Sequence, residues 1–226
     1  MQKVTVIQPL FTPLILLYSI PMKTTLYIVR HGQTEWNCLG LLQGQLSSPL
    51  TKEGIAQAED FRHEITELNP DLVYSSDQER AFITAQILTS DLDLEIHTHV
   101  GLREMNFGIF QGKNWDYIEK EMSDIYEVYR QDDPDFVIPE GESHNQFHQR
   151  AVDTLNEIAK AHPGKKVLIV SHGGTINKIL GYVEGLTPSA NRFFRTKNLA
   201  MNIIEFEEDE YTLKTETELL EFAGIY

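Results

Sequence analysis

Two short stretches of this chain are built alike, and together they constrain its fold more than any other feature. Ile28-Val29-Arg30-His31-Gly32 and Ile169-Val170-Ser171-His172-Gly173 each run an apolar segment into one polar residue and then into His-Gly. The apolar segments Leu26-Tyr27-Ile28-Val29 and Val167-Leu168-Ile169-Val170 show no polar alternation. A strand without a polar face is covered on both sides, as in the parallel sheet of an α/β protein. Ligands of such sheets bind beyond the carboxyl ends of the strands, where the loops leave. Both histidines are therefore expected on one sheet edge, with glycines that let backbone N–H groups approach a ligand. A single strand-end histidine is usually structural. Two at matching positions on two buried strands point to a site.

The rest of the pattern agrees with that sheet. Leu72-Val73-Tyr74 and Leu94-Glu95-Ile96 are weaker strand candidates, and Met201 to Phe206 with Tyr211 to Lys214 reads as a hairpin about an acidic turn. Thr51 can cap a helix carrying Ala56, Ala58, Phe61 and Ile65, and Asp77 a second carrying Ala81, Ala85 and Leu88. A third helix is expected from Trp115 to Tyr129. Ser143 can cap a fourth with Phe147, Ala151, Leu155 and Ile158, and a fifth runs from Thr175 to Val183, stopped near Gly185. Alternating strands and helices predict a three-layer αβα sandwich on a mostly parallel sheet. The stretch from Phe107 to Asp135 falls between core units and is expected to form a small helical cap over the site.

Charge narrows the partners. Nineteen Lys and Arg against 34 Asp and Glu leave a formal net charge of -15. Nucleic acid and anionic membranes call for a basic face, so neither is an expected partner. An anionic substrate would need a local basic pocket. The lone cysteine, Cys38, allows no disulfide within the chain and fits a cytoplasmic address. Val4 to Met22 carries no charge and is rich in Leu and Ile, but Pro9 and Pro13 weaken it as a membrane helix. Three readings stay open for residues 1–21: an extension upstream of a natural start at Met22, a weak anchor or failed signal, or a packed element. Residues 22–226 are expected to form one domain.

Arginines supply the local pocket. Arg30 precedes His31. Arg80, in Ser75-Ser76-Asp77-Gln78-Glu79-Arg80, opens a helix after a strand whose carboxyl end points to the same edge. Helix N-termini attract anions, and guanidinium groups pair bidentately with phosphate. Standing alone, Arg80 would be read as a solvated helix arginine.

With these residues assembled, the chain resembles the histidine phosphatase superfamily, which contains the phosphoglycerate mutases, over about residues 26–206. The resemblance is carried by Arg30-His31-Gly32-Gln33-Thr34-Glu35-Trp36-Asn37, by Ser75-Ser76-Asp77 with Arg80-Ala81 and Thr84-Ala85, and by Leu102-Arg103-Glu104 with Phe107-Gly108. Gly141-Glu142-Ser143 and Ser171-His172-Gly173-Gly174 complete it. It implies that His31 is the nucleophile, that Arg30, Arg80 and His172 hold the phosphate, that Asn37 adds a phosphate contact, and that Glu104 donates the proton. Thr34, Gln43, Gly44 and Gly173 are grouped with them as substrate-binding positions. The implied chemistry is phosphate monoester hydrolysis through a phosphohistidine, with no metal ion and no cofactor, on a small phosphorylated metabolite. Gln43-Gly44 with Ser48-Pro49-Leu50-Thr51, and the short span from Glu104 to His172, look like the phosphatase branch rather than the mutase branch. A phosphoglycerate mutase-type transfer and a non-catalytic phospho-ligand module are the rival readings.

Other histidines call for plainer roles. His97 and His99 alternate on a strand, and His144 and His148 stand four apart on a helix. Either pair lacks a third ligand nearby, so neither is read as a metal site. The aromatic residues from Phe107 to Tyr129 read as lobe packing.

Overall fold

The computed structural model describes residues 22–186, 194 and 196–215. The expectations for residues 1–21 lie outside them. Six strands form one sheet in the order β3-β2-β4-β1-β5-β6. They are β1 (Thr24–Arg30), β2 (Leu72–Ser75), β3 (Ile96–Thr98), β4 (Lys166–Ser171), β5 (Met201–Glu207) and β6 (Glu210–Leu213). The first four are mutually parallel, and the hairpin β5-β6 adds antiparallel to β1. Seven α-helices accompany them among the described residues: α1 (Glu35–Leu39), α2 (Lys52–Leu68), α3 (Glu79–Leu88), α4 (Trp115–Glu121), α5 (Ser123–Tyr129), α6 (His144–Ala161) and α7 (Gly173–Val183).

Period-2 alternation splits each central strand between two cores. Leu26 and Ile28 of β1 and Val167 and Ile169 of β4 face α6 and α7, where Leu155, Ile158, Ile176 and Ile179 are buried. Tyr27, Val29, Leu168 and Val170 face α2 and α3, against Ala58, Ile65, Ala81 and Ala85. This is the expected three-layer sandwich. It also explains where a site must lie. The chain leaving β1 goes to the α2 face, and the chain leaving β4 goes to the α7 face. Adjacent parallel strands whose exits diverge open a crevice at their carboxyl ends. In the β1–β4 register Arg30 lies beside Ser171, so His31 and His172 follow side by side.

Several boundaries differ from expectation. Asp77 does not cap α3, because its carboxylate is taken by Arg103 Nε at 2.7 Å; the helix opens after Gln78. β3 is shifted to Ile96–Thr98, set by Val73 pairing with Ile96. The helix expected over Trp115–Tyr129 is two helices, because Met122 leaves the helical region at φ -132, ψ 32. That break lets Ile118, Tyr126 and Tyr129 converge on Phe110 and Phe147 in a third core, which belongs to the cap lobe. The last helix begins at Gly173, with His172 itself at the N-cap. Among the described residues, no helix is long and apolar enough to cross a membrane.

Candidate active site

The two histidines meet as the register requires. Their ring centroids are 5.2 Å apart, with the planes inclined by 57°. His31 is 3% exposed and His172 is fully buried. His31 Nδ1 lies 2.7 Å from the Gly32 carbonyl, which can only accept, so Nδ1 carries the proton and Nε2 keeps its lone pair. Burial first, then the charges of Arg30 and Arg80, hold His31 well below the usual histidine range. His172 is held down the same way, by burial and then by Arg80, His31 and Arg30. Both imidazoles are neutral at physiological pH. Among the described residues, neither ring nitrogen of His172 has a hydrogen-bond partner.

Each guanidinium is aimed by backbone carbonyls. Arg30 Nη1 donates to Thr196 O at 2.6 Å. Arg80 is 2% exposed; it donates through Nη1 to Leu46 O at 2.9 Å and through Nη2 to Gly44 O at 2.8 Å, while its Nε has no partner among the described residues. Burial lowers Arg80 to about 10, so it stays cationic at neutral pH. Glycine suits position 44: its φ is +52°, which strains other residues, and a Cβ there would lie 2.2 Å from Gln111 Oε1. The loop that aims Arg80 is thereby pressed against the cap lobe.

The other expected residues fall around this core in different ways. Thr34 is buried and caps α1 in a reciprocal box with Asn37: Asn37 N donates to Thr34 Oγ1, and Thr34 N to Asn37 Oδ1. Gln43 Nε2 donates to the same hydroxyl at 2.7 Å. Thr34 thus organises Gln43 and Asn37, whose Oδ1 is engaged and whose amide NH2 is the donor end. Gly173 is the first residue of α7. Glu104, 8% exposed, accepts at Oε2 from Gly174 N and at Oε1 from Met105 N, both at 2.9 Å. Its carboxylate therefore sits against the start of α7, directly after His172.

Sequence reasoning missed Gln78, Asn198 and Arg150. Gln78 Oε1 accepts from the Glu104 N–H at 2.8 Å, while its Nε2 donates to Gly44 O at 3.0 Å. Asn198 Nδ2 donates to His31 O at 2.9 Å. Arg150 reaches the Glu104 carbonyl from α6. Only Gln78 lies inside a recognised motif; neither of the others carries a local signal. The two histidine pairs weighed as metal ligands take structural places. His99 accepts from Gly101 N and caps a 3-10 turn, His97 lies beside Tyr74, His148 packs on Tyr182, and His144 is buried against Tyr129.

A neutral imidazole with its lone pair on Nε2, a second imidazole and two guanidiniums gather at a switch point of an α/β sheet, an arrangement suited to an anionic ligand. The chain belongs to the histidine phosphatase superfamily (branch 1), whose family model matches residues 26–218. It is 33% identical to a phosphoglycerate mutase-like protein 4 of Arabidopsis thaliana, over 83% of this chain and 82% of that one. A metal-independent phosphoserine phosphatase from the same plant is 29% identical over 89% of this chain and 84% of its own. The crystal structure of the alpha-ribazole phosphatase from Shigella flexneri superposes with a TM-score of 0.78 at 29% identity, covering 86% of this chain and 96% of that chain.

Proposed function

We propose that the protein hydrolyses phosphate monoesters of small metabolites through a phosphohistidine on His31. The observation that carries this reading is the His31–Gly32 hydrogen bond. It leaves the lone pair on Nε2, the atom that must attack phosphorus, while burial and two guanidiniums keep the ring neutral. Nε2 forms a bond to phosphorus as the ester P–O bond breaks in line with it. Glu104 delivers a proton to the departing oxygen. Arg30, Arg80, Asn37 and His172 hold the equatorial oxygens, where the transition-state charge is spread. In the second half, Glu104 takes a proton from water, the water oxygen bonds to phosphorus, and the N–P bond breaks. Phosphate leaves and His31 returns to its starting tautomer. The guanidiniums occupy the charge-stabilising role that a metal ion fills in other phosphatases, which supports metal-independent turnover.

Phosphatase-named relatives support hydrolysis. A relative named for phosphoglycerate mutase keeps phosphoryl return to the substrate as the second reading. One screen separates them. Phosphorylated metabolites, including phosphoserine and the phosphoglycerates, are incubated with chelator-dialysed protein, and both free phosphate and isomerised product are measured. Phosphate release unaffected by the chelator is expected. Loss of activity that magnesium or zinc restores would overturn metal independence, and isomerisation faster than phosphate release would make the protein a mutase.

A further inference from the structure

Glu104 lies on an irregular segment between the 3-10 turns Val100–Leu102 and Gly108–Phe110. No helix ladder or sheet ladder fixes its backbone, although proton transfer demands placement to a few tenths of an ångström. Side chains do that work instead. The Glu104 N–H goes to Gln78, and its carbonyl accepts from Gln45 Nε2 at 3.2 Å and from Arg150 Nη2 at 3.1 Å.

Arg150 does more than touch Glu104. Its Nη1 donates to Gly101 O at 3.0 Å and to Arg103 O at 2.7 Å, so three carbonyls of one segment converge on a single guanidinium. Glu142 locks that guanidinium in plane, with Oε1 at 2.6 Å from Nη2 and Oε2 at 3.3 Å from Nε. Phe147 stacks beneath it, 4.9 Å from the ring centroid to Cζ. Glu142 Oε1 also accepts from Asn106 N at 2.7 Å, which fastens the far side of the same segment. A lysine offers donors from one point and cannot span these acceptors in one plane.

We propose that Arg150, held by Glu142, is a positioning residue for the proton-transfer step, keeping the Glu104 carboxylate at the leaving oxygen. This rests on Glu104 acting as the acid. The test compares two esters: the alkyl monoester that the wild type hydrolyses fastest in the screen above, and 4-nitrophenyl phosphate, whose leaving group barely needs a proton. In Glu104→Gln, turnover of the alkyl ester should fall by about a hundredfold, with a much smaller loss on the aryl ester. Arg150→Lys should show the same contrast, about ten- to a hundredfold on the alkyl ester and under about threefold on the aryl ester. Combined with Glu104→Gln, it should add less than about twofold, because both changes remove one function. Glu142→Gln gives a second variant should Arg150→Lys fail to fold, with the same contrast at about three- to tenfold on the alkyl ester. A purely structural clamp would lower both esters equally, or add in full to Glu104→Gln; either result overturns the proposal, as does unchanged turnover. If Glu104→Gln alone treats the two esters alike, the acid role itself is wrong and the positioning role falls with it.

Discussion

His31 and His172 look alike in sequence, yet their hydrogen-bond surroundings differ. Of the two, only His31 has a carbonyl fixing one nitrogen; among the described residues neither ring nitrogen of His172 has a hydrogen-bond partner. Rapid quenching during turnover should therefore trap acid-labile, alkali-stable phosphate on the wild type and none on His31→Ala, which should also be inactive. Under the proposed mechanism His172→Ala keeps the attacking atom and loses one donor, so its turnover should fall by about ten- to a thousandfold while label still forms. Label that persists in His31→Ala would reverse the assignment. Because burial and both arginines favour the neutral ring, 15N shifts of His31 and His172 should stay at neutral-imidazole values as pH falls from 7 through 6.5.

At the scale of elements, the site depends on how closely α7 begins to Glu104. Gly174 N donates to Glu104 Oε2, and a Cβ at Gly174 would stand 2.3 Å from Oε1. The obstacle is the far end of a flexible side chain, so Gly174→Ala should fold with a melting temperature within a few degrees of wild type. The carboxylate must nevertheless swing aside. Alkyl ester turnover should fall by at least about tenfold, with 4-nitrophenyl phosphate far less affected. Equal activity on both esters at the wild-type level would show that the carboxylate does not need this position.

Across the whole molecule, the same burial that prepares the site makes the fold sensitive to acid. His31, His144 and His172 are all buried with depressed affinity for protons, His144 lowered to about 3 by burial and then by Lys178. The unfolded chain binds protons at these positions near the ordinary value of about 6.5, whereas the folded chain does not. Stability is therefore complete above that value and is lost as pH falls toward the folded values, by about 1.4 kcal/mol per pH unit for each histidine. His144→Leu should flatten the pH dependence of the urea-unfolding free energy by one such increment between about pH 6 and pH 4. An unchanged slope would mean that His144 gains a proton in the fold. For the domain boundary, β1 is an interior strand, paired on both sides by β4 and β5. A chain beginning at Met22 should fold and keep its turnover; an insoluble or inactive product would give residues 1–21 a packing or anchoring role.

Much of this protein was legible along the chain because it depends on local pattern. Unbroken apolar runs in β1 and β4 identify two-sided strands, His-Gly at both ends marks the common edge, and Thr51 and Ser143 cap α2 and α6 as read. What escaped the sequence is long-range. Asp77 is drawn off its capping role by Arg103, 26 residues away, and α4 and α5 part at Met122 so that one small lobe can close its own core. Arg150 reads as one more polar residue on an amphipathic helix, and Asn198 as a loop residue. Their partners, the carbonyls of the Glu104 segment and of His31, lie 46 and 167 residues away. Periodicity reports which face of an element is buried, but which distant carbonyl a side chain meets is decided only when the layers pack. Tertiary structure alone therefore determined how Glu104 is held, whereas His31, His172 and Arg30 were already marked by the ends of β1 and β4, and Arg80 by the start of the helix after β2.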